Sequence, residues 1–230
     1  TGGGDVQQDN FNKWELREAL EYGVTDNYTV EFYINSSSES YRDTSVSPAA
    51  NESETKFEGI SIENRYMLLN PADHAVGLTL YLEPRYSGEE AEIEEKIIFG
   101  QRHGDWKWAL NLTHATEWAD NLRETEGELE ATFGISRDIG SHWAVGLEFR
   151  NHNEWPDYGA FEHSAFFLGP VVSYHNEKWW AALTVLPQIY VKNFNGNPDG
   201  RSSLVLDEHE KVTTRLLFGS DEQFSSSPCV

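Results

Sequence analysis

The sequence predicts an all-β chain folded as an antiparallel up-and-down transmembrane β-barrel of about 12 strands. Three observations predict it. Apolar and polar residues alternate with a period of two from end to end, every second connection is a tight polar turn, and a Trp or Tyr stands beside each of those turns.

Composition agrees with such a barrel and excludes several classes. The 230 residues include 13% aromatics, yet the mean hydropathy is polar at -0.59. A membrane barrel averages out in this way, because lipid-facing apolar side chains alternate with polar ones on the other face. The 39 acidic and 17 basic residues give a formal charge of -22, which repels phosphate backbones and argues against nucleic-acid binding. With Cys229 as the one cysteine, an intrachain disulfide and a thiolate metal cluster are both excluded. Apolar runs such as 165–172 and 179–191 fall short of the ~18 residues that a membrane helix needs.

Eleven segments read as strands: 12–24, 28–35, 55–69, 75–86, 92–101, 106–117, 124–136, 143–151, 161–174, 179–191 and 208–219. In the first, Trp14, Leu16, Leu20, Tyr22 and Val24 share one face, with Glu15, Arg17, Ala19, Glu21 and Gly23 on the other. The fourth sets Val76, Leu78, Leu80 and Leu82 against Gly77, Thr79, Tyr81, Glu83 and Arg85. Each segment is near the ~9–11 residues that cross a bilayer at a tilt. Tight turns are expected near Asp26, Pro71, Gly104, Gly140 and Asn176. More open connections are expected at 36–54, 87–91, 117–124, 151–159 and 192–207. Closed bacterial barrels have even strand counts, so a twelfth strand is expected ahead of the first clear one, weak within 1–11 or lost upstream. Residues 1–11 are therefore expected to be disordered or a partial first strand, 12–220 the barrel, and 221–230 a C-terminal tail.

The polar face carries Glu15, Arg17, Glu21, Glu31, Glu63, Arg65, Glu83, Arg85, Glu94, Lys96, Lys107, Glu126, Glu128, Glu130, Glu148, Arg150 and Arg215. An Arg or Lys facing lipid at the midplane costs about 2–4 kcal/mol, which assigns these residues to the lumen. Tyr22, Tyr28, Tyr66, Trp106, Trp143, Tyr174 and Trp179 sit beside the tight turns and are expected to form a membrane-interface girdle.

Several stretches add a resemblance: Trp14-Glu15-Leu16, Glu21 to Asp26, Glu83 to Tyr86, Lys96 to Gly100, Leu168 to Pro170, Leu183 to Gln188 and Thr214 to Gly219. Through them the chain resembles an uncharacterised group of proteobacterial outer-membrane β-barrels, loosely related to barrels associated with phenol-degradation operons. The resemblance covers about residues 12–220 and implies a fold and a bacterial outer-membrane location, not a substrate. The chain departs from the group's habit of ending on an aromatic residue, since Ser220 to Val230 follow Phe218.

Two readings of the lumen compete. A cross-braced ionic plug fills a narrow barrel, or an acidic pore passes cations or small basic solutes. Twelve strands lie between the side-chain-filled barrels of about eight and the open channels of 16–18, and the plug or narrow pore is favoured. The expected partners are outer-membrane lipid and a small solute, with no cofactor. A soluble extracellular all-β protein that binds carbohydrate or lipid is the alternative, and an outer-membrane lipid hydrolase the third. No catalytic constellation is read: His163 and Ser164 are adjacent on a strand and face opposite sides. No metal site is read either, because His103, His114, His142, His152, His163, His175 and His209 are scattered without helical pairing, and Glu89 to Glu95 read as a solvated rim.

Overall fold

The computed structural model describes residues 8–43, 47–156, 158–159, 163–193 and 212–220. They form eleven strands: β1 (Gln8–Thr25), β2 (Tyr28–Asp43), β3 (Ala50–Leu69), β4 (Gly77–Tyr86), β5 (Ala91–His103), β6 (Trp106–Ala119), β7 (Glu124–Ile139), β8 (Trp143–Pro156), β9 (His163–His175), β10 (Trp179–Asn193) and β11 (Val212–Ser220). Each pairs antiparallel with its neighbours in chain order, and the sheet curls into a half-barrel. A sandwich would divide such strands between two stacked sheets. Here there is one sheet, and Leu112, Phe133 and Leu147 stand exposed on its convex side rather than packed in a shared centre.

Most of the strand length coincides with period-two alternation, and the register places that alternation coherently across the sheet. Leu80 pairs with Ile97, Ile97 with Leu112, and Leu112 with Ala131, so apolar residues stack in rows on the convex face. The intervening rows lie on the concave face. Curvature is visible in side chains that meet across it. Arg17 on β1 pairs with Glu83 on β4, and Arg215 on β11 pairs with Glu148 on β8. In a flat sheet, strands three positions apart would be separated by ~14 Å.

The structure corrects the expected outline in three places. The eleven clear strands of the expected up-and-down barrel are present, and among the described residues, where no pairing joins β1 to β11, they form a half-barrel. No twelfth strand is seen there, and 8–11 extend β1. The open connection expected over 36–54 is mostly strand: Ser36 to Asp43 pairs with Ala50 to Phe57 as a long polar extension of the β2–β3 hairpin. The extension begins at a bulge after Asn35, opposite Gly59. Gly59 has φ +101°, and a Cβ there would come within 2.3 Å of the Tyr86 carbonyl oxygen, so the bend requires glycine. Finally, the connections after β4 and β6, at 87–90 and 120–123, are tight, and 70–76 after β3 is longer than either. The short–long alternation is therefore weaker than the sequence suggested. The segments expected at 1–7 and 221–230, and the connection from 194, lie outside the described residues.

Candidate functional site: the concave face

The polar and apolar faces are inverted relative to a water-soluble core. Trp14, Leu20, Phe32, Ile60, Leu112, Leu147 and Phe218 are exposed on the convex side, Leu20 at 71%. Glu63, Glu83, Glu148, Asn35, Ser61 and His152 are buried on the concave side, Glu63 at 6%. Curling explains the second half, since side chains on the inside of a bend crowd and shield one another. Burial of a charge is tolerable only with partners, and the concave face supplies them.

Over β1–β5 the partners are arginines set between carboxylates. Arg65 binds Glu21, Glu31 at 3.1 Å and Glu63 at 2.6 Å. The Tyr33 hydroxyl donates to Glu63 at 2.9 Å, and the Tyr81 hydroxyl donates to Glu83. Arg17 lies over the Tyr33 ring at 4.1 Å and donates to Asn35 at 3.0 Å while reaching Glu83. Lys96 pairs with Glu94 at 2.8 Å and stacks on Tyr81 at 4.4 Å. Further along the strands Arg85 gathers Glu58, Glu92 and Glu117. The register explains the density of acid: Glu21 pairs with Glu31, Glu31 with Glu63, and Glu83 with Glu94, so one row of the sheet carries a carboxylate on strand after strand.

The remaining residues assigned from sequence to the lumen also fall on the concave face. Glu15 is exposed at the β1 edge and pairs with Lys13. Lys107 reaches Asp138 at 2.9 Å near the tight turns. Glu126 is exposed, and Glu128 faces Glu154 across the β7–β8 ladder. Glu130 is held by Arg150, and Glu148 by Arg215.

Two features of this face were missed. The first is an apolar cluster of Ala165, Phe167, Leu186 and Val191 on β9 and β10, with Arg150 over the Phe167 ring at 5.2 Å. The concave face is therefore not uniformly ionised. Its signal was the run 165–172, apolar on both faces of the strand. The second is the meeting of His152, Glu154 and His163, produced by the Glu154–His163 register pair. Of the hydrolase candidates, Ser164 lies on the convex side, where it receives a hydrogen bond from Asn151 at 3.1 Å, opposite in face to His163.

On the convex face, Tyr22, Tyr66, Trp106, Trp143 and Trp179 are exposed, and Tyr28 and Tyr174 half-buried, all toward the tight-turn end. Trp143, Tyr174, Trp179 and Phe218 form a chain of ring contacts at 4.9, 4.7 and 5.9 Å. A second aromatic row at the opposite end, Tyr86, Trp118 and Trp155, was not anticipated. Trp106 and Trp118 stand twelve residues apart on β6, as do Trp143 and Trp155 on β8. Glu18 on β1 and Glu95 on β5 interrupt the apolar rows, the latter 3.8 Å from His114.

Fold and faces together define a class: an all-β, up-and-down, barrel-like chain with an apolar outside and an ionised inside. A family profile matches residues 3–97 and 99–221, and the chain belongs to that family, a family of unknown function (DUF6662). No curated protein and no solved structure matches the chain.

Proposed function

We propose that this chain is a bacterial outer-membrane β-barrel that acts as a narrow, side-chain-filled pore or membrane-embedded scaffold. The observation that carries the reading is the inversion of faces along one continuous sheet. An apolar surface of this extent is stable only against hydrocarbon or a partner of similar area. The two aromatic rows support hydrocarbon. Twelve residues span about 40 Å along a strand, and at the ~40° tilt of membrane barrels this projects to about 30 Å, the thickness of a bilayer core. Kinship with barrels associated with phenol-degradation operons is part of this reading and would carry fold and compartment only.

In a bilayer the edges of β1 and β11 must be joined, because an open edge in hydrocarbon leaves backbone groups unpaired. Direct pairing or an additional strand would serve. The packed arginine–carboxylate clusters and the Phe167 cluster favour a filled lumen over a wide channel, and the excess of acid favours cations. Fractionation and gel migration test the location: the folded chain should sediment with outer membrane, require detergent, and migrate differently before and after heating. Release into buffer as a stable monomer would refute it and support the soluble binding protein. Planar bilayers then separate pore from scaffold, with small cation-selective steps expected of the pore and silence of the plug.

A further inference from the structure

We infer that His152, Glu154 and His163 form a binding site for one divalent transition-metal ion of the zinc class on the concave face of β8 and β9. The three side chains converge because His152 and Glu154 are two apart on β8 and share a face, while His163 pairs with Glu154 across the ladder. His152 Nε2 lies 2.8 Å from Glu154 Oε1, and His163 Nδ1 lies 3.6 Å from Oε2. One ligand atom from each residue falls within 4.8 Å of the others. Tetrahedral zinc with bonds of ~2.0–2.2 Å sets its ligand atoms about 3.4 Å apart, inside that spread. Two imidazoles and one carboxylate suit zinc, with a fourth position left for solvent or a guest.

The surroundings supply what a metal-binding imidazole needs. His152 is buried, and Glu130 Oε2 stands 3.4 Å from its Nδ1. A carboxylate on Nδ1–H leaves Nε2 as the metal-facing nitrogen, which would exchange the proton it shares with Glu154 Oε1 for the ion. Glu130 is itself held by Arg150, whose Nη2 lies 3.4 Å from the same imidazole nitrogen. The nearby cation does not forbid a second one, because Glu128, Glu130 and Glu154 outnumber it. Glu154 is 38% exposed at its side chain, which leaves the open position reachable from the concave side.

Titration of the folded full-length chain with Co²⁺ tests the site. One tight equivalent is expected, with the intense visible absorption of a low-coordinate ion, hyperfine-shifted resonances from two imidazole rings, and displacement by Zn²⁺. His163→Ala and Glu154→Gln should remove the tight equivalent, and Glu130→Gln should weaken it about 10–100-fold. His142→Ala should leave it intact, since His142 lies at the other end beside His175. Only diffuse, weak binding by wild type overturns the inference, as does a tight equivalent that survives both His163→Ala and Glu154→Gln. If a variant does not fold, the two shifted rings in wild type decide, and their absence counts against the site.

Discussion

The two halves of the concave face are built from different materials. Over β1–β5, buried carboxylates are held by Arg17 and Arg65, with Tyr33 and Tyr81 between them. Over β8–β10, the ionic groups around Arg150 and Glu148 give way to Phe167, Leu186 and Val191, which are almost wholly buried. The first half is held by charge compensation, in which each partner removed strands another in a place that disfavours it. The second is held by packing, in which a lost side chain leaves a void. The two should fail differently.

The largest effect is expected in the packed half. Phe167 is 0% exposed, so Phe167→Ala should cost about 4 kcal/mol, read as a lower urea midpoint for the refolded chain. An unchanged midpoint would mean that the cluster bears no load and that the halves do not differ as described. In the ionic half, Arg65→Met keeps the volume but leaves Glu21, Glu31 and Glu63 facing one another. A loss of about 3 kcal/mol is expected. Adding Glu31→Gln and Glu63→Gln to that variant should recover much of it, a non-additivity that a purely packing role for Arg65 would not produce. The corresponding rescue has no counterpart at Phe167.

The same contrast explains what was legible in the sequence. All eleven strands could be read in chain order, because a sheet with one apolar and one polar face writes a period of two wherever it runs. Alternation vanishes in Ser36-Ser37-Ser38-Glu39-Ser40, where both faces of the β2–β3 extension are polar, and the pattern there reads as loop although the chain is strand. It also vanishes where both faces are apolar, and the Phe167 cluster was missed for that reason. The ionic residues could be assigned to a face, and Glu63 set beside Arg65 on one strand, but pairing between distant strands could not be read. Arg17 with Glu83 and Arg215 with Glu148 depend on curvature, and His163 with Glu154 on register, neither of which any local pattern encodes.

A third substitution sets the convex face against the concave one. Leu112 is exposed and stands six residues from both Trp106 and Trp118 on β6. If the chain spans a bilayer, Leu112→Arg should cost about 2–3 kcal/mol of folding in lipid vesicles. On a water-exposed surface the same change would fall within about 0.5 kcal/mol. A negligible effect in vesicles would remove hydrocarbon as the partner of this face while leaving the account of the concave face untouched.

The smallest effect concerns the free edge. Glu15 lies on the concave face of β1, its side chain is 67% exposed, and its partner Lys13 is 3.0 Å away on the same strand. An exposed pair of this kind contributes little, so Glu15→Gln should shift stability by no more than about 0.5 kcal/mol in the half-barrel as it stands. Joining β1 to another strand would enclose Glu15 in the lumen and draw it into the same dependence on partners that governs Glu63. The substitution therefore measures closure. A shift of about 1 kcal/mol or more in vesicles, together with a negligible one in detergent, would indicate an edge that is sealed only in the bilayer. Equal and negligible shifts in both would indicate that Glu15 still faces water and that β1 remains an edge.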